Sequence, residues 1–406
     1  MFNRREKLVS TQSQVSKFKK PKVKKVAGTR TRDVFSFDYS FLFIVIFIIA
    51  FGLIMIYSAS EYSSQQDFGN TWGYFRKQLF SVIIGAGAMA LAFFINYRVY
   101  NRGRVPWIIF IVSLISMFAL FSPLGITING ARRWLDLKVT TLQPAEFVKI
   151  GVIILTASLI CLSTAKFVRF KKIFRIWVFT GIIPAAIVYL VSSNLSSGII
   201  VVLISLLMTF VAYSGYKPYV FLIAIGIVIA LAAVMYANSA DPDSGSFRLN
   251  RIAVWLHPED YAETTGYQTV QSLYAIGSGG FFGKGLGRSM QKLSFIPEAQ
   301  NDMIFAVICE ELGIFGAILV VSLFIFLLWR ILVIARRAPD RFGMLICMGV
   351  FFHIAIQVFL NIAVATNLIP NTGVTLPFIS YGGSSILFLM YEMGMVLNVS
   401  RQIKEQ

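Results

Sequence analysis

Leu293-Ser-Phe-Ile-Pro297-Glu298-Ala-Gln-Asn301-Asp302-Met303-Ile-Phe-Ala-Val-Ile-Cys309-Glu310-Glu311-Leu-Gly313 is a polar stop that carries two carboxylates and then turns apolar, with the apolar run continuing to residue 330. A run of that length exceeds the roughly 20 residues needed to cross the hydrocarbon core of a bilayer. It still holds Glu310 and Glu311, and Asp302 stands at its mouth. An acid at the start of a long hydrophobic helix either caps that helix or does chemistry at a membrane surface. Spacing alone favours Asn301 and Asp302 as the cap. Eight residues separate Asp302 from Glu310, about 12 Å of helix rise, so neither glutamate is a second carboxylate beside it. Both are expected to pair with neighbours in a helix bundle.

Working outward, runs of the same kind recur along a chain of 406 residues that is 57% hydrophobic, with a mean hydropathy of +0.72. These features predict an all-α polytopic membrane protein, since isolated strands cannot satisfy their backbone in lipid. Ten spans fit, at about 39–59, 77–97, 105–122, 143–163, 175–192, 196–214, 218–238, 303–330, 342–369 and 375–399. The domain layout is a basic cytoplasmic tail over 1–38, expected to be disordered, a membrane domain over 39–400, and a short tail over 401–406. The first tail holds 11 of the 37 Lys and Arg residues, including Lys17-Phe-Lys-Lys-Pro-Lys-Val-Lys-Lys25. The bias of basic residues places both termini in the cytoplasm. A formal charge of +18 is therefore read as membrane sidedness and contact with anionic lipid, and no nucleic-acid partner is expected. Two extracytoplasmic segments stand out, about 123–142 and about 239–302, and a loop as long as the second usually carries function.

Cys161, Cys309 and Cys347 all fall inside apolar runs, which suits packing and implies no disulfide framework. His257 and His353 are far apart in sequence, and no metal-ligand cluster is evident.

Three further constellations hold chemistry-bearing side chains. Asn129-Gly-Ala-Arg132-Arg133-Trp134-Leu-Asp136 precedes Gln143-Pro144-Ala-Glu146-Phe-Val-Lys149. Pro144 suits a first helical position, Glu146 the first turn, and Lys149 lies three residues on, on the same face. That is a capped helix start with a local ion pair, or a polar cavity, because a lysine inside the membrane is costly. Arg132 and Arg133 could grip a phosphate bidentately or anchor headgroups beside Trp134. Next come Arg248-Leu-Asn-Arg251, Gly266-Tyr-Gln-Thr-Val-Gln-Ser272 and Gly277-Ser-Gly-Gly-Phe-Phe-Gly-Lys284-Gly-Leu-Gly287-Arg288. The glycines do not match a nucleotide loop, and no strand–helix unit surrounds them. With Arg248, Lys284, Arg288 and Lys292 they could cradle a diphosphate or form a flexible loop. Last, Asn371-Thr-Gly-Val-Thr-Leu-Pro377-Phe-Ile-Ser380-Tyr381-Gly-Gly-Ser384-Ser385 suits close helix packing, and Ser380 could line a cavity.

Taken together and in order, these blocks resemble the SEDS family (shape, elongation, division and sporulation), which comprises the FtsW, RodA and SpoVE proteins. The resemblance runs from about residue 40 to 400 and includes Tyr57-Ser-Ala-Ser60. "LPFISYGGSS", "QSLYAIGSGG" and "ARRAPDRFG" are more similar to the FtsW/SpoVE branch than to RodA. It implies a GT-C-like fold and polymerisation of peptidoglycan glycan strands from lipid II. It also implies a class B penicillin-binding protein as partner, alongside other division or elongation proteins. The family's essential acid, in P-E-x-x-T-D-F, falls on Asp302, and its functionally important Glu–Lys positions fall on Glu146 and Lys149. Three departures stand out. T-D-F reads Asn301-Asp302-Met303, the family's P-D-L-G/S-T reads Ser193-Asn194-Leu195-Ser196-Ser197, and its D-P reads His257-Pro258.

The implied chemistry makes Asp302 a general base on the acceptor hydroxyl, with inversion at the donor sugar. Arg132, Arg133, Lys149, Arg248, Lys284 and Lys292 are candidates to steady the departing diphosphate. The sequence specifies no cofactor; a divalent cation, magnesium or manganese, could share that work, although no carboxylate cage is visible. A lipid II flippase or a non-catalytic scaffold of the division complex are the alternatives.

Overall fold

Apolar runs of this length fold as helices because each must satisfy its own backbone in hydrocarbon. The computed structural model describes residues 37–403, apart from 129, 137–140, 164–169, 214, 240–246 and 292–295. In chain order the helices are α1 (Tyr39–Phe68), α2 (Gly73–Phe94), α3 (Val105–Phe118), α4 (Pro144–Cys161), α5 (Phe170–Trp177), α6 (Ile183–Ser192), α7 (Leu195–Ala212), α8 (Lys217–Ser239), α9 (Phe247–Leu256), α10 (Tyr267–Gly279), α11 (Ile304–Arg337), α12 (Arg341–Ala365) and α13 (Gly383–Arg401). A π-helical turn, Val178–Ile182, joins α5 to α6 just before Pro184. Proline has no N–H and clashes with the carbonyl of the preceding turn, so a widened turn there keeps one continuous segment.

A helix lies at each expected position among the described residues, although the last expected span, 375–399, is helical only from Gly383. Among the described residues, seven segments are long and apolar enough to cross a membrane, and Val105–Phe121 and Lys217–Val228 are shorter apolar helices. The tenth, α13, is 19 residues long and packs chiefly on α2. The two approach closely: a Cβ at Gly394 would lie 2.3 Å from the Met89 carbonyl oxygen. A small residue there lets the backbones meet. Helix α4 is the central one, with 83% of its apolar window buried, and it touches α3, α7, α12 and α13.

The tail boundary shifts slightly. Asp38 caps α1 by accepting from the Phe41 N–H at 2.9 Å, and it pairs with Arg330 of α11. It thus belongs to the folded unit that begins at Phe37. The rest of the expected tail, and residues 404–406, lie outside the described residues.

The segment before α4 adds a small sheet to this predominantly helical fold. It forms a three-stranded antiparallel sheet in the order β1 (Gly125–Ile128), β2 (Ala131–Asp136), β3 (Thr141–Leu142). Ile126 faces Trp134, and Leu135 faces Leu142. The 239–302 loop is likewise structured in part, by α9, a 3-10 turn at Pro258–Tyr261, and α10.

Helix α11 is kinked at Gly313, where φ is 66°. The kink receives the glycine-rich loop, since a Cβ on Gly313 would lie 2.4 Å from the Phe281 carbonyl oxygen. Only glycine fits both the left-handed backbone and that approach.

Candidate active site

The cap reading of Asp302 fails on geometry. The N-cap of α11 is Met303, which makes no side-chain cap bond. Asp302 sits one residue earlier, half-buried, and its Oδ1 accepts from Gln268 Nε2 of α10 at 3.3 Å. The Gln268 Oε1 accepts from Asn371 Nδ2 at 2.9 Å, and Arg251 Nη1 of α9 donates to the Asn371 carbonyl at 3.1 Å. Asn361, in the last turns of α12, splits its amide between the carbonyls of Asp302 at 2.7 Å and Val374 at 2.8 Å. Four chain segments therefore fix one carboxylate. Burial, then the nearby Glu298 carboxylate, push the Asp302 pKa up to about 6, while Arg251 and the Gln268 bond oppose the rise.

Cations approach from two sides. Arg133 of β2 is half-buried, donates to the Ser193 carbonyl at 3.3 Å, and keeps a buried Nε with no partner among the described residues. Burial and the like charge of Arg251 lower its pKa. Two guanidiniums held near each other, one of them acting on a basic carboxylate, can accept an anion in their field. The Ser193–Ser197 segment sits against the same place: Ser196 donates to the Thr372 carbonyl at 2.6 Å. Asn194 caps α7, its Oδ1 accepting from the Ser197 N–H at 3.1 Å. An amide caps as well as a carboxylate does, which accounts for Asn at that position.

The other expected residues divide. Arg132 spends its N–H groups on the carbonyls of Ser122, at 2.7 Å, and Gly125, at 3.2 Å, and so stiffens its own hairpin. Lys284 pairs with Glu310 at 2.7 Å; that buried carboxylate also accepts from Ser289 and from the Met290 N–H at 3.2 Å. Glu311 accepts from Ser58 of α1 at 2.7 Å. Both glutamates thus tie the glycine-rich loop and α1 to the α11 kink. The Ser380 hydroxyl accepts from the Leu376 N–H at 2.7 Å, closing a turn. Glu146 and Lys149 pair at 2.7 Å, both buried, in the first two turns of α4. Arg248 lies on α9, one turn before Arg251, and its side chain falls outside the described residues, as does Lys292 altogether. His257 is exposed.

Gln268, Arg251, Asn361 and Asn371 were not singled out from the sequence. The available signals were the one-turn spacing of Arg248 and Arg251, and the polar residues His353, Gln357 and Asn361 recurring every fourth position of an apolar helix. Among the described residues no group of three or more His, Cys, Asp or Glu side chains is placed to hold a metal ion. With one Asp302 oxygen already engaged by Gln268, this donor set does not fit a protein-held divalent cation. A cavity of about 600 Å³ lies elsewhere, among Asn96, Arg102, Asp340 and Arg341, at the opposite end of α12 from Asn361.

Known proteins resemble this chain along most of its length. The FtsW/RodA/SpoVE model, described as "Cell cycle protein", matches residues 39–405. The chain is similar to stage V sporulation protein E of Bacillus subtilis, 35% identical over 372 residues that cover 90% of this chain and 97% of that one. It is 36% identical to the B. subtilis protein named "Probable peptidoglycan glycosyltransferase FtsW", across 91% of this chain and 92% of that one. Its fold matches a chain from a peptidoglycan synthase complex with a TM-score of 0.74 at 23% identity, covering 91% of this chain and 99% of that one. The rod shape determining protein RodA of Thermus thermophilus has the same coverage and identity, with a TM-score of 0.64.

Proposed function

The chain belongs to the FtsW/RodA/SpoVE family, and we propose that it is an inverting peptidoglycan glycosyltransferase that polymerises lipid II with Asp302 as general base. The observation that carries this reading is a carboxylate with its pKa raised to about 6, gripped by Gln268 and faced by Arg251. A base poised just below neutral pH is ionised when the reaction runs, yet basic enough to take a proton.

In the proposed reaction, Asp302 removes the proton from the acceptor GlcNAc 4-hydroxyl. That oxygen attacks the anomeric carbon of the donor MurNAc from the face opposite its diphosphate. The C–O bond to the diphosphate breaks, undecaprenyl diphosphate leaves with the electron pair, and a β-1,4 link forms. Arg133 and Arg251 supply a fixed positive field for the growing charge. No ATP is available outside the cell, so a donor carrying its own leaving group suits this face. The distribution of Lys and Arg supports that sidedness, with ten crossings, both termini in the cytoplasm and the site at the outer surface of the bacterial cell membrane. The relatives support a class B penicillin-binding protein as partner.

The test is glycan synthesis from labelled lipid II by the purified chain with its cognate partner. Asp302→Ala and Asp302→Asn are expected to abolish polymer while leaving the complex intact. Normal polymer from either variant refutes the base assignment.

A further inference from the structure

Four buried ionisable side chains meet in the bundle core, and the Glu146–Lys149 pair is only half of the group. Lys149 Nζ lies 2.7 Å from Glu146 Oε1 and 3.2 Å from His353 Nε2. His353 Nδ1 lies 2.9 Å and 3.0 Å from the two carboxylate oxygens of Glu392. Relative exposure is 5% for Glu146, 1% for Lys149 and 0% for both His353 and Glu392. The four come from three helices, α4, α12 and α13.

The bonding pattern assigns each atom a task. Both Glu392 oxygens lie within hydrogen-bond distance of Nδ1, which suits the tautomer with its proton on Nδ1 and its Nε2 lone pair towards Lys149. Lys149 then donates to Glu146 along its own helix and to His353 across the bundle. Either bond alone leaves a four-carbon chain free to swing; two bonds from different helices fix the nitrogen. Glu392 fixes the ring that makes the second bond. Two of the three ammonium N–H groups are used in this way, and Glu146 Oε2 remains buried with no partner among the described residues. The lysine thus stays able to act on something besides its holders.

Helix α12 links this group to Asp302. His353, Gln357 and Asn361 recur at one-turn intervals on one face, with exposures of 0%, 2% and 0%. Gln357 Nε2 donates to the Thr375 carbonyl at 3.2 Å, and Asn361 donates to the Asp302 carbonyl at 2.7 Å. The stripe rises about 12 Å over eight residues. One rigid helix face therefore holds Lys149 at one end and the Asp302 turn at the other.

We propose that His353 and Glu392 are positioning residues for polymerisation, fixing the Lys149 ammonium in a set place relative to Asp302. This rests on the proposed function. A cation held in advance needs no reorganisation as charge develops, so its benefit falls on turnover more than on binding. Because His353 acts through Lys149, losses at the two positions do not add.

The experiment measures polymerisation by the partner complex across a lipid II titration, for His353→Leu, Lys149→Met and the double variant. Expected are a fall in kcat of about tenfold for His353→Leu with KM within about threefold, and a double variant no slower than Lys149→Met alone. Wild-type turnover in His353→Leu, or a fully multiplicative loss in the double variant, overturns the proposal. Glu392→Gln guards against a folding artefact, since it keeps side-chain volume and an oxygen that can accept from His353 Nδ1. It should hold turnover within about threefold of wild type, while Glu392→Met, which leaves the His353 Nδ1–H buried without a partner, loses turnover severalfold and melts lower; a loss in Glu392→Gln as large as in Glu392→Met overturns the positioning role. If the wild-type complex makes no glycan, the proposed function fails and this inference with it. If wild type is active, Asp302→Ala is silent and His353→Leu is normal, only the inference fails.

Discussion

Gln268 donates to Asp302 Oδ1 at 3.3 Å while its own carbonyl oxygen is held by Asn371 at 2.9 Å, so its amide is oriented before any substrate arrives. A hydrogen bond to an ionised carboxylate stabilises the charged form by about 1.5–3 kcal/mol. Gln268→Leu removes it without adding charge. Turnover at pH 7 is expected to fall by about tenfold, and the acid limb of the pH–rate profile to move to higher pH, because the carboxylate becomes harder to ionise. A profile of lipid II polymerisation from pH 5 to pH 9 reads both effects. An unmoved acid limb would remove Gln268 from the site.

The raised pKa of Asp302 has consequences for rate and for stability. As a base it must be ionised, so turnover should drop as pH falls through about 6. For stability, the folded pKa of about 6 lies above the ordinary value of 3.8, so the native state holds the proton more tightly than the unfolded chain. Ionisation therefore opposes folding; the penalty is absent below the unfolded value and complete above about 6. Asp302→Asn relieves it. That variant should be more stable than wild type at pH 8 by on the order of 1–3 kcal/mol and no more stable at pH 4. Thermal melts in detergent at the two pH values decide the matter; equal Tm differences at both would contradict a desolvated carboxylate.

Much of this was legible in the sequence, and the rest was hidden for physical reasons. The apolar runs mark the helices because lipid enforces backbone pairing within each segment. Asp302 stood out because a carboxylate at a helix mouth is expensive unless used. The sheet did not, because Ala131–Asp136 lacks a clean alternation: four successive residues are partly buried alike. Lys284 read as a free loop cation because its partner Glu310 lies 26 residues away and meets it only through the kink at Gly313. Arg248 and Arg251 were indistinguishable by spacing, and only the fold shows that the Arg251 guanidinium reaches the Asn371 carbonyl.

That difference between tied and available cations is itself testable. Lys284 is one-third exposed and paired to a fully buried Glu310, so Lys284→Met leaves a buried carboxylate short of one partner. A loss of stability of about 1–2 kcal/mol is expected, discounted for solvent screening at the lysine. KM for lipid II should stay within about twofold when the assay runs well below Tm. Arg133→Met should do the opposite: a small change in Tm and a fall in kcat/KM of about tenfold or more. A raised KM in Lys284→Met at full stability would return that lysine to the substrate.

The Asn194 position separates a charge role from a capping role. Its Oδ1 accepts from the Ser197 N–H at 3.1 Å at the start of α7, and Asn and Asp are about equal as caps. Ser196, within the same first turn, ties α7 to Thr372 at 2.6 Å, beside the segment that carries Asn371 and so reaches Gln268. A frayed α7 start should therefore loosen the Asp302 surroundings as well as cost stability. Asn194→Asp is expected to keep Tm within a degree or two and turnover within about twofold, since the cap survives. Asn194→Ala should lose about 1 kcal/mol and several-fold in turnover. If Asn194→Asp instead changes turnover by tenfold at constant Tm, the side chain acts through its charge on the site, and capping is not why an amide suffices there.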